Sequence, residues 1–293
     1  MIFDEPALRK LSRLRLVARR VRSGVYKGER HSIRHGSSIE FSDHREYAPG
    51  DDLRRLDWNL YARSDRPFLK LMEDEEDLTV HILLDGSGSM SWGENEAHKF
   101  RFALRLAAAL GVVALNGGDR LSLALLQDGS MAAQLGPLRG PHRTLSLLQS
   151  LDTWRSGGTT DLNRSVGSYL AQPRRPGIAL VLSDLLCPGG YQEALRRLQG
   201  FGFEAHLLHL LCPTELDPPL AGDQRLVDTE TRQTVEVSLD GGLRALYRRR
   251  LHAWCQEIRD DCRKRGAGYL LVKTDGTWES VVFSGLRRSG VLR

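Results

Sequence analysis

The chain has 293 residues, of which 41% are hydrophobic and 27% charged, with a formal charge of +5. Such a composition builds a globular core in one large or two modest domains. No apolar run approaches the roughly 18 residues that cross a bilayer, the start Met-Ile-Phe-Asp-Glu-Pro lacks a secretory layout, and the four cysteines show no Cys-x-x-Cys spacing, so a cytoplasmic protein without a disulfide framework or zinc site is expected.

Residues 6–22 read as an amphipathic helix, with Leu8, Leu11, Leu14 and Val21 apolar among arginines. Without Trp or Phe anchors it is expected to dock on a neighbouring domain or partner rather than on a membrane surface. Residues 36–78 mix acids, arginines and aromatics too closely for an ordinary helix or a two-faced strand, around a turn at Pro49-Gly50-Asp51. Residues 1–78 are therefore expected to form a helix and a structural segment packed on the core. In that segment Arg45, Arg54 and Arg63 would meet Asp51, Asp52 or Asp57, because buried charges must be paired.

From residue 79 the pattern becomes regular. Apolar runs predict strands at 79–85, 120–126, 131–135, 177–183, 203–211 and 269–272. Between them lie predicted helices near 96–115, 141–151, 161–172, 190–199 and 240–265, a turn at Asp128-Gly129 and a hairpin at 224–237, with 276–293 left as a tail. Alternation of this kind implies an α/β fold: a doubly wound, mainly parallel, Rossmann-like sheet with helices on both faces. Cys255 and Cys262, seven apart on the last helix, read as half-buried thiols.

Charge is unevenly spread. Residues 9–34 carry ten Arg or Lys, Glu73-Asp74-Glu75-Glu76-Asp77 precedes the first core strand, and Arg248-Arg249-Arg250 and Arg263-Lys264-Arg265 lie on the last helix. Aromatics do not interleave with the basic runs, so no nucleic-acid partner is expected, and solvated helix faces are the plainer reading.

The most informative stretch is Val80-His-Ile-Leu-Leu-Asp85-Gly-Ser87-Gly-Ser89-Met90. A buried strand ends in a carboxylate and two hydroxyls at alternate positions, with Gly86 and Gly88 expected to let the loop curl so that the oxygens converge. Oxygen-only ligation suits a hard cation such as Mg²⁺ or Mn²⁺; the plain alternative is a strand end followed by a Ser-rich cap. Two further segments favour the cation. Gly157-Gly158-Thr159-Thr160-Asp161-Leu162 delivers threonine hydroxyls before a helix, and Gly177-Ile-Ala-Leu-Val-Leu-Ser183-Asp184 is a second strand ending in a carboxylate. In an open parallel sheet ligands gather at the carboxyl ends of the strands.

This order and spacing resembles the metal-ion-dependent adhesion site of von Willebrand factor A domains. The resemblance implies Asp85, Ser87, Ser89, Thr160 and Asp184 as ligands of Mg²⁺ (or Mn²⁺ or Ca²⁺). It favours Thr160 over Thr159, because the family's threonine stands two before the leucine that opens the next helix, here Leu162. A second resemblance covers more of the chain. Glu40-Phe41, Arg45-x-Tyr47-x-x-Gly50-Asp51-Asp52-x-Arg54-x-x-Asp57-Trp58 and Ala62-Arg63, followed by the Asp-x-Ser-x-Ser strand, resemble the bacterial domain-of-unknown-function family fifty-eight. That family has a von Willebrand factor A-like core. The resemblance implies action beside a MoxR-type AAA+ ATPase as an adaptor. Some of its members carry N-terminal membrane spans, which are not carried over to this chain.

Enzymatic signatures are missing from the sequence: no Gly-x-Ser-x-Gly elbow, no phosphate-binding Gly-x-x-x-x-Gly-Lys loop and no His-Glu-x-x-His pair. The expectation is a non-enzymatic, metal-dependent protein-interaction module without a catalytic residue or organic cofactor. Its bound cation would accept a carboxylate from the ATPase or its client. The alternatives are a divalent-metal-dependent hydrolase or phosphatase, and a basic binder of nucleic acid or the cell envelope.

Overall fold

The computed structural model describes residues 5–18, 40–47, 56–64, 66–73, 78–218, 222–228, 230, 233–239 and 241–293. The chain divides into two units, residues 1–23 with 78–293, and residues 24–77. Helix α1 (Glu5–Leu11) belongs to the larger unit, where Leu11, Leu14 and Leu16 are buried in the core. The expected N-terminal helix is thus short, and its leucines face inward.

The smaller unit contains an antiparallel pair, β1 (Glu40–Glu46) and β2 (Phe68–Glu73), with α2 (Trp58–Ser64) between them in sequence. Asp57 opens α2: its Oδ1 accepts the Asn59 and Leu60 N–H groups at 3.0 and 3.1 Å, an N-terminal cap. Leu56 bridges to Leu69, and both are buried. Asp51, Asp52, Arg54 and the Arg45 side chain lie outside the described residues, as does most of the basic run that ends at Arg34.

In the larger unit, β3 (Thr79–Asp85) is buried at every position. Parallel strands covered on both faces read as continuous apolar runs, which is why Val80-His-Ile-Leu-Leu is legible as one. Successive side chains point to opposite faces. Val80, Ile82 and Leu84 join one core, Leu83 the other, and β6 (Ile178–Ser183) divides in the same way. The first core is closed by α3 (Lys99–Asn116) and α4 (Thr144–Thr153), the second by α5 (Leu162–Leu170) and α6 (Gln192–Gly200).

With β4 (Arg120–Gln127), β5 (Ser130–Arg139), β7 (Glu204–Leu211) and β10 (Gly268–Lys273), the sheet has the order β10-β7-β6-β3-β4-β5. All its pairings are parallel except β4 with β5. The antiparallel edge follows from a two-residue turn in which Asp128 and Gly129 both have positive φ, 50° and 68°. Asp-Gly is the sequence that accepts such a turn, and its twist matches the strands it joins.

The chain passes from β3 to β4 on one side and returns to β6 on the other. The crevice at the carboxyl ends of β3 and β6 is therefore the switch point where such sheets bind ligands.

A short helix α7 (Pro213–Leu216) follows β7, and β8 (Gly222–Val227) pairs antiparallel with β9 (Thr234–Leu239) in a hairpin longer than 224–237. Helix α8 (Gly241–Arg265) buries Cys255, Ile258 and Cys262 on one face, so the two thiols expected to be half-buried are fully inside. The expected tail 276–293 is part of the core as well. A turn of helix α9 (Trp278–Ser280) runs into a π-helical turn at 281–286, and Val281, Val282, Leu286, Val291 and Leu292 are buried. Among the described residues no helix is long and apolar enough to cross a membrane.

Candidate metal centre

Asp85 ends β3 with 2% of its surface exposed. Its Oδ1 accepts the Ser87 N–H at 3.0 Å, and its Oδ2 accepts the Ser183 hydroxyl at 2.6 Å. Ser87 and Ser89 place their hydroxyls 3.0 Å apart. The loop between them is held by main chain: Gly88 N–H donates to Gly158 O at 3.0 Å, and Gly157 N–H to Gly86 O at 2.7 Å. The Asp-x-Ser-x-Ser loop and the threonine turn are therefore stitched together.

The two glycines of that loop differ in what they do. Gly88 has φ −61° and ψ −36°, which any residue adopts. At Gly86 a Cβ would lie 2.6 Å from Leu125 Cδ1, so the Leu125 side chain would have to shift to admit one. In the threonine turn Gly158 has φ +73°, and a Cβ would meet the Asp128 carboxylate at 2.4 Å.

That carboxylate separates the two threonines. Asp128 Oδ1 accepts the Thr159 N–H at 2.7 Å and its hydroxyl at 3.2 Å. Thr160, 9% exposed, turns instead toward the Ser89 side of the crevice. There its N–H donates to Glu230 Oε2 at 2.8 Å and its hydroxyl to Glu230 Oε1 at 2.7 Å, while Ser89 N–H donates to Glu230 Oε1 at 3.3 Å. Asp161 caps α5 by accepting the Arg164 N–H at 2.9 Å.

Asp184 is fully buried at the end of β6, paired at 2.6 Å with the Nζ of Lys99, itself fully buried. Lys99 also reaches Glu215 Oε1 at 2.6 Å. Asp184 Oδ1 accepts the Leu186 N–H at 3.1 Å. The residue between them, Leu185, is buried with φ +57°, a left-handed conformation costly for a branched side chain, and its N–H is held by Ser183 Oγ at 2.9 Å.

Electrostatics follow from this packing. Burial pushes the Asp85 carboxyl up to about 6, and repulsion from Asp184 adds to the rise, against the pull of the Ser183 and Ser87 hydrogen bonds. Burial would lower the pKa of Lys99, but Asp184 and Glu215 outweigh it and hold the ammonium charged. Cys187, buried close by, has its thiol pushed up to about 12, first by burial and then by Asp85, and is an inert thiol.

The five residues singled out by sequence thus fall at one edge. Asp85, Ser87 and Ser89 are linked directly, Thr160 joins Ser89 through Glu230, and Asp184 is held by Lys99. Asp85, Ser87, Ser89 and Thr160 offer oxygen atoms only, the donor chemistry of a hard cation, whereas Asp184 and Glu215 are paired with the ammonium of Lys99. Among the described residues no three Asp, Glu, His or Cys side chains gather closely enough to hold a metal by themselves. Lys99, Ser183, Glu215 and Glu230 were not singled out. Lys99 opens an amphipathic helix, where a lysine reads as solvated. Glu215 stands three residues after Cys212, ahead of a four-residue helix, and its other carboxylate oxygen accepts the Cys212 N–H at 2.9 Å. Glu230 falls in a hairpin tip that reads only as a turn.

A family profile described as "Protein of unknown function DUF58" matches residues 43–256. An uncharacterized protein of Mycobacterium tuberculosis (strain ATCC 25618 / H37Rv) is 30% identical over 295 residues, covering 99% of this chain and 92% of its own length. A second uncharacterized protein, from Mycobacterium avium, is 30% identical over 158 residues, 52% of this chain and 93% of its own. Among solved structures, an aerotolerance-related membrane protein from Bacteroides fragilis NCTC 9343 overlaps with a TM-score of 0.45 at 17% identity, covering 73% of this chain and 98% of that one.

Proposed function

We propose that this chain, which belongs to the family of proteins of unknown function DUF58, is a metal-ion-dependent protein-interaction module with a von Willebrand factor A-like site, not an enzyme. The observation that supports the proposal is the linked set Asp85, Ser87 and Ser89 at the switch point of the sheet, with Thr160 joined to Ser89 through Glu230 and Asp184 near enough to raise the Asp85 carboxyl. These residues would hold a Mg²⁺ or Mn²⁺ ion. Asp85 and the three hydroxyls would face it, and Asp184 would contribute charge from its pair with Lys99. Bound there, the cation would supply an anchor for an acidic side chain of a partner, which neutral hydroxyl ligands leave electron-poor.

By its resemblance to the family, the partner is a MoxR-type AAA+ ATPase or that ATPase's client, and the module acts in the cytoplasm as an adaptor. The test is calorimetry with Mn²⁺ on wild type and Asp85→Ala, joined to capture of the ATPase in Mg²⁺ and in EDTA. Wild type should bind the ion and the ATPase, and Asp85→Ala should bind neither while unfolding cooperatively. Equal Mn²⁺ affinity in the two proteins removes Asp85 from the site. Capture that persists undiminished in EDTA rejects the metal bridge.

A further inference from the structure

Glu230 stands at the tip of the β8–β9 hairpin, where its own N–H is fastened to Asp228 Oδ1 at 2.8 Å and Asp228 N–H to Gln233 O at 2.8 Å. Its half-buried side chain points back into the crevice. Both carboxylate oxygens are used there. One accepts the Thr160 N–H, and the other accepts the Thr160 hydroxyl and the Ser89 N–H. The donors come from two loops 70 and 141 residues away in sequence. A surface hairpin tip has no need of such partners to stay folded, since β8 and β9 already pair along their length.

Glu230 is delivered to an edge that already holds the buried carboxylates of Asp85 and Asp184, with Lys99 between Asp184 and Glu215. A cation held by the loop oxygens would draw the Glu230 carboxylate toward it. Its contacts are also those an incoming acidic side chain would make: the hydroxyl and main-chain N–H of the threonine turn and the N–H of the second loop serine.

We propose that Glu230 is the site's internal carboxylate ligand. It occupies the open position on the bound cation, and an acidic side chain of a partner must displace it. The hairpin is then a built-in competitor that keeps the site closed until a partner with a stronger carboxylate contact arrives. Displacement would widen the cleft of about 430 Å³ that Glu230 lines with Ser89, Trp92, Leu186 and Val227. Trp92, Leu186 and Val227 are all well exposed at its rim and give an incoming loop apolar contacts.

This inference rests on the reading of the crevice as a cation site, and the experiment separates the two. Mn²⁺ is titrated into the full chain, as wild type, Glu230→Gln and Glu230→Ala. Affinity and the number of water molecules on the bound ion are read by magnetic resonance, and hydrogen exchange of the hairpin is followed with and without Mn²⁺. Acetate serves as the carboxylate probe. Glu230→Gln removes the charge and one of the two acceptor oxygens, so hairpin exchange of each variant without Mn²⁺ measures how far the fastening itself is loosened.

Loss of the carboxylate should weaken Mn²⁺ about tenfold in both variants, as fewer charged ligands do in hard-cation sites. The bound ion should gain a water in Glu230→Ala and accept acetate there but not in wild type, and Mn²⁺ should slow hairpin exchange in wild type alone. Unchanged affinity and hydration in both variants overturn the inference and leave Glu230 a simple hairpin fastening, with the metal site intact. Failure of wild type itself to bind Mn²⁺ overturns the cation reading and the inference with it.

Discussion

Lys99→Met removes a single ammonium from the inside of the protein and keeps the length of the side chain. The wild-type Nζ lies 2.6 Å from Asp184 Oδ2 and 2.6 Å from Glu215 Oε1, with no exposure on Lys99 or Asp184 and 16% on the Glu215 side chain. At an effective dielectric of about 20, each contact carries roughly 6 kcal/mol of gross attraction. Most of that offsets the desolvation of the three charges, so the gross figure is not the cost of the change. What Met leaves behind is Asp184 buried without its partner, beside Asp85. Breaking a buried pair from one side costs about 3–5 kcal/mol. The assay is urea unfolding of both proteins, in EDTA and in saturating Mg²⁺. In EDTA the variant should lose about that amount; in Mg²⁺ it should recover part of it, because a divalent ion in the crevice supplies the missing charge. A variant as stable as wild type in EDTA would refute the reasoning, since it would mean that the charge of Asp184 is balanced elsewhere. A loss of full size that Mg²⁺ leaves untouched would keep the ion pair and remove the cation from its neighbourhood.

Other outcomes follow from the same packing. Proton and metal compete for Asp85, whose carboxyl is raised to about 6, so Mn²⁺ affinity measured by calorimetry should be steady above that pH and fall below it. His81 is held near 4 by burial, with its ring nitrogens on Tyr169 Oη and Arg175 O. Its folded pKa lies below the unfolded value, so its contribution to stability is complete above about pH 6.5 and is lost as pH falls toward 4. That contribution is at most about 3 kcal/mol, with His209 acting in the same direction and Asp85 in the opposite one. Unfolding free energy should therefore rise less steeply from pH 4.5 to 6.5 in His81→Gln than in wild type, and equal slopes would count against the assignment. Gly177→Ala should destabilise by about 1–3 kcal/mol in urea, because the added Cβ would sit 2.0 Å from the Thr79 carbonyl, a backbone atom that cannot turn aside.

The sheet was legible because β3 and β6 are covered on both faces and so appear as unbroken apolar runs. The hairpin between β4 and β5 was legible for a different reason: Asp128-Gly129 names its own turn. The full length of β5 was not, since Gly136-Pro137 breaks the alternation before the buried Leu138 resumes it. The last eighteen residues failed as a pattern because their apolar residues come as pairs, Val281-Val282 and Val291-Leu292, on a π-turn and a bridge to Leu16 rather than at helical spacing. Lys99 failed for a deeper reason. Nothing local distinguishes a lysine that opens a helix in water from one drawn inside by partners 85 and 116 residues downstream.

The same distance effect explains which part of the site was read and which was not. Asp85, Ser87, Ser89, Thr160 and Asp184 sit at the ends of regular elements, where sequence order and sheet topology together fix their meeting place. The groups that decide how each oxygen is used come from elsewhere: Asp128 takes Thr159, Lys99 takes Asp184, and Glu230 takes Thr160 with the Ser89 N–H. Asp128 leaves Thr160 as the threonine that faces the crevice. Lys99 gives Asp184 a fixed partner, so Asp184 is the least exchangeable of the five. Glu230 alone among the three is carried outside the central sheet, between the strands of the separate β8–β9 pair. Asp128, in the turn after β4, and Lys99, on α3, thus belong to the central sheet and its helices and Glu230 does not, so binding that changes with conditions should act through Glu230.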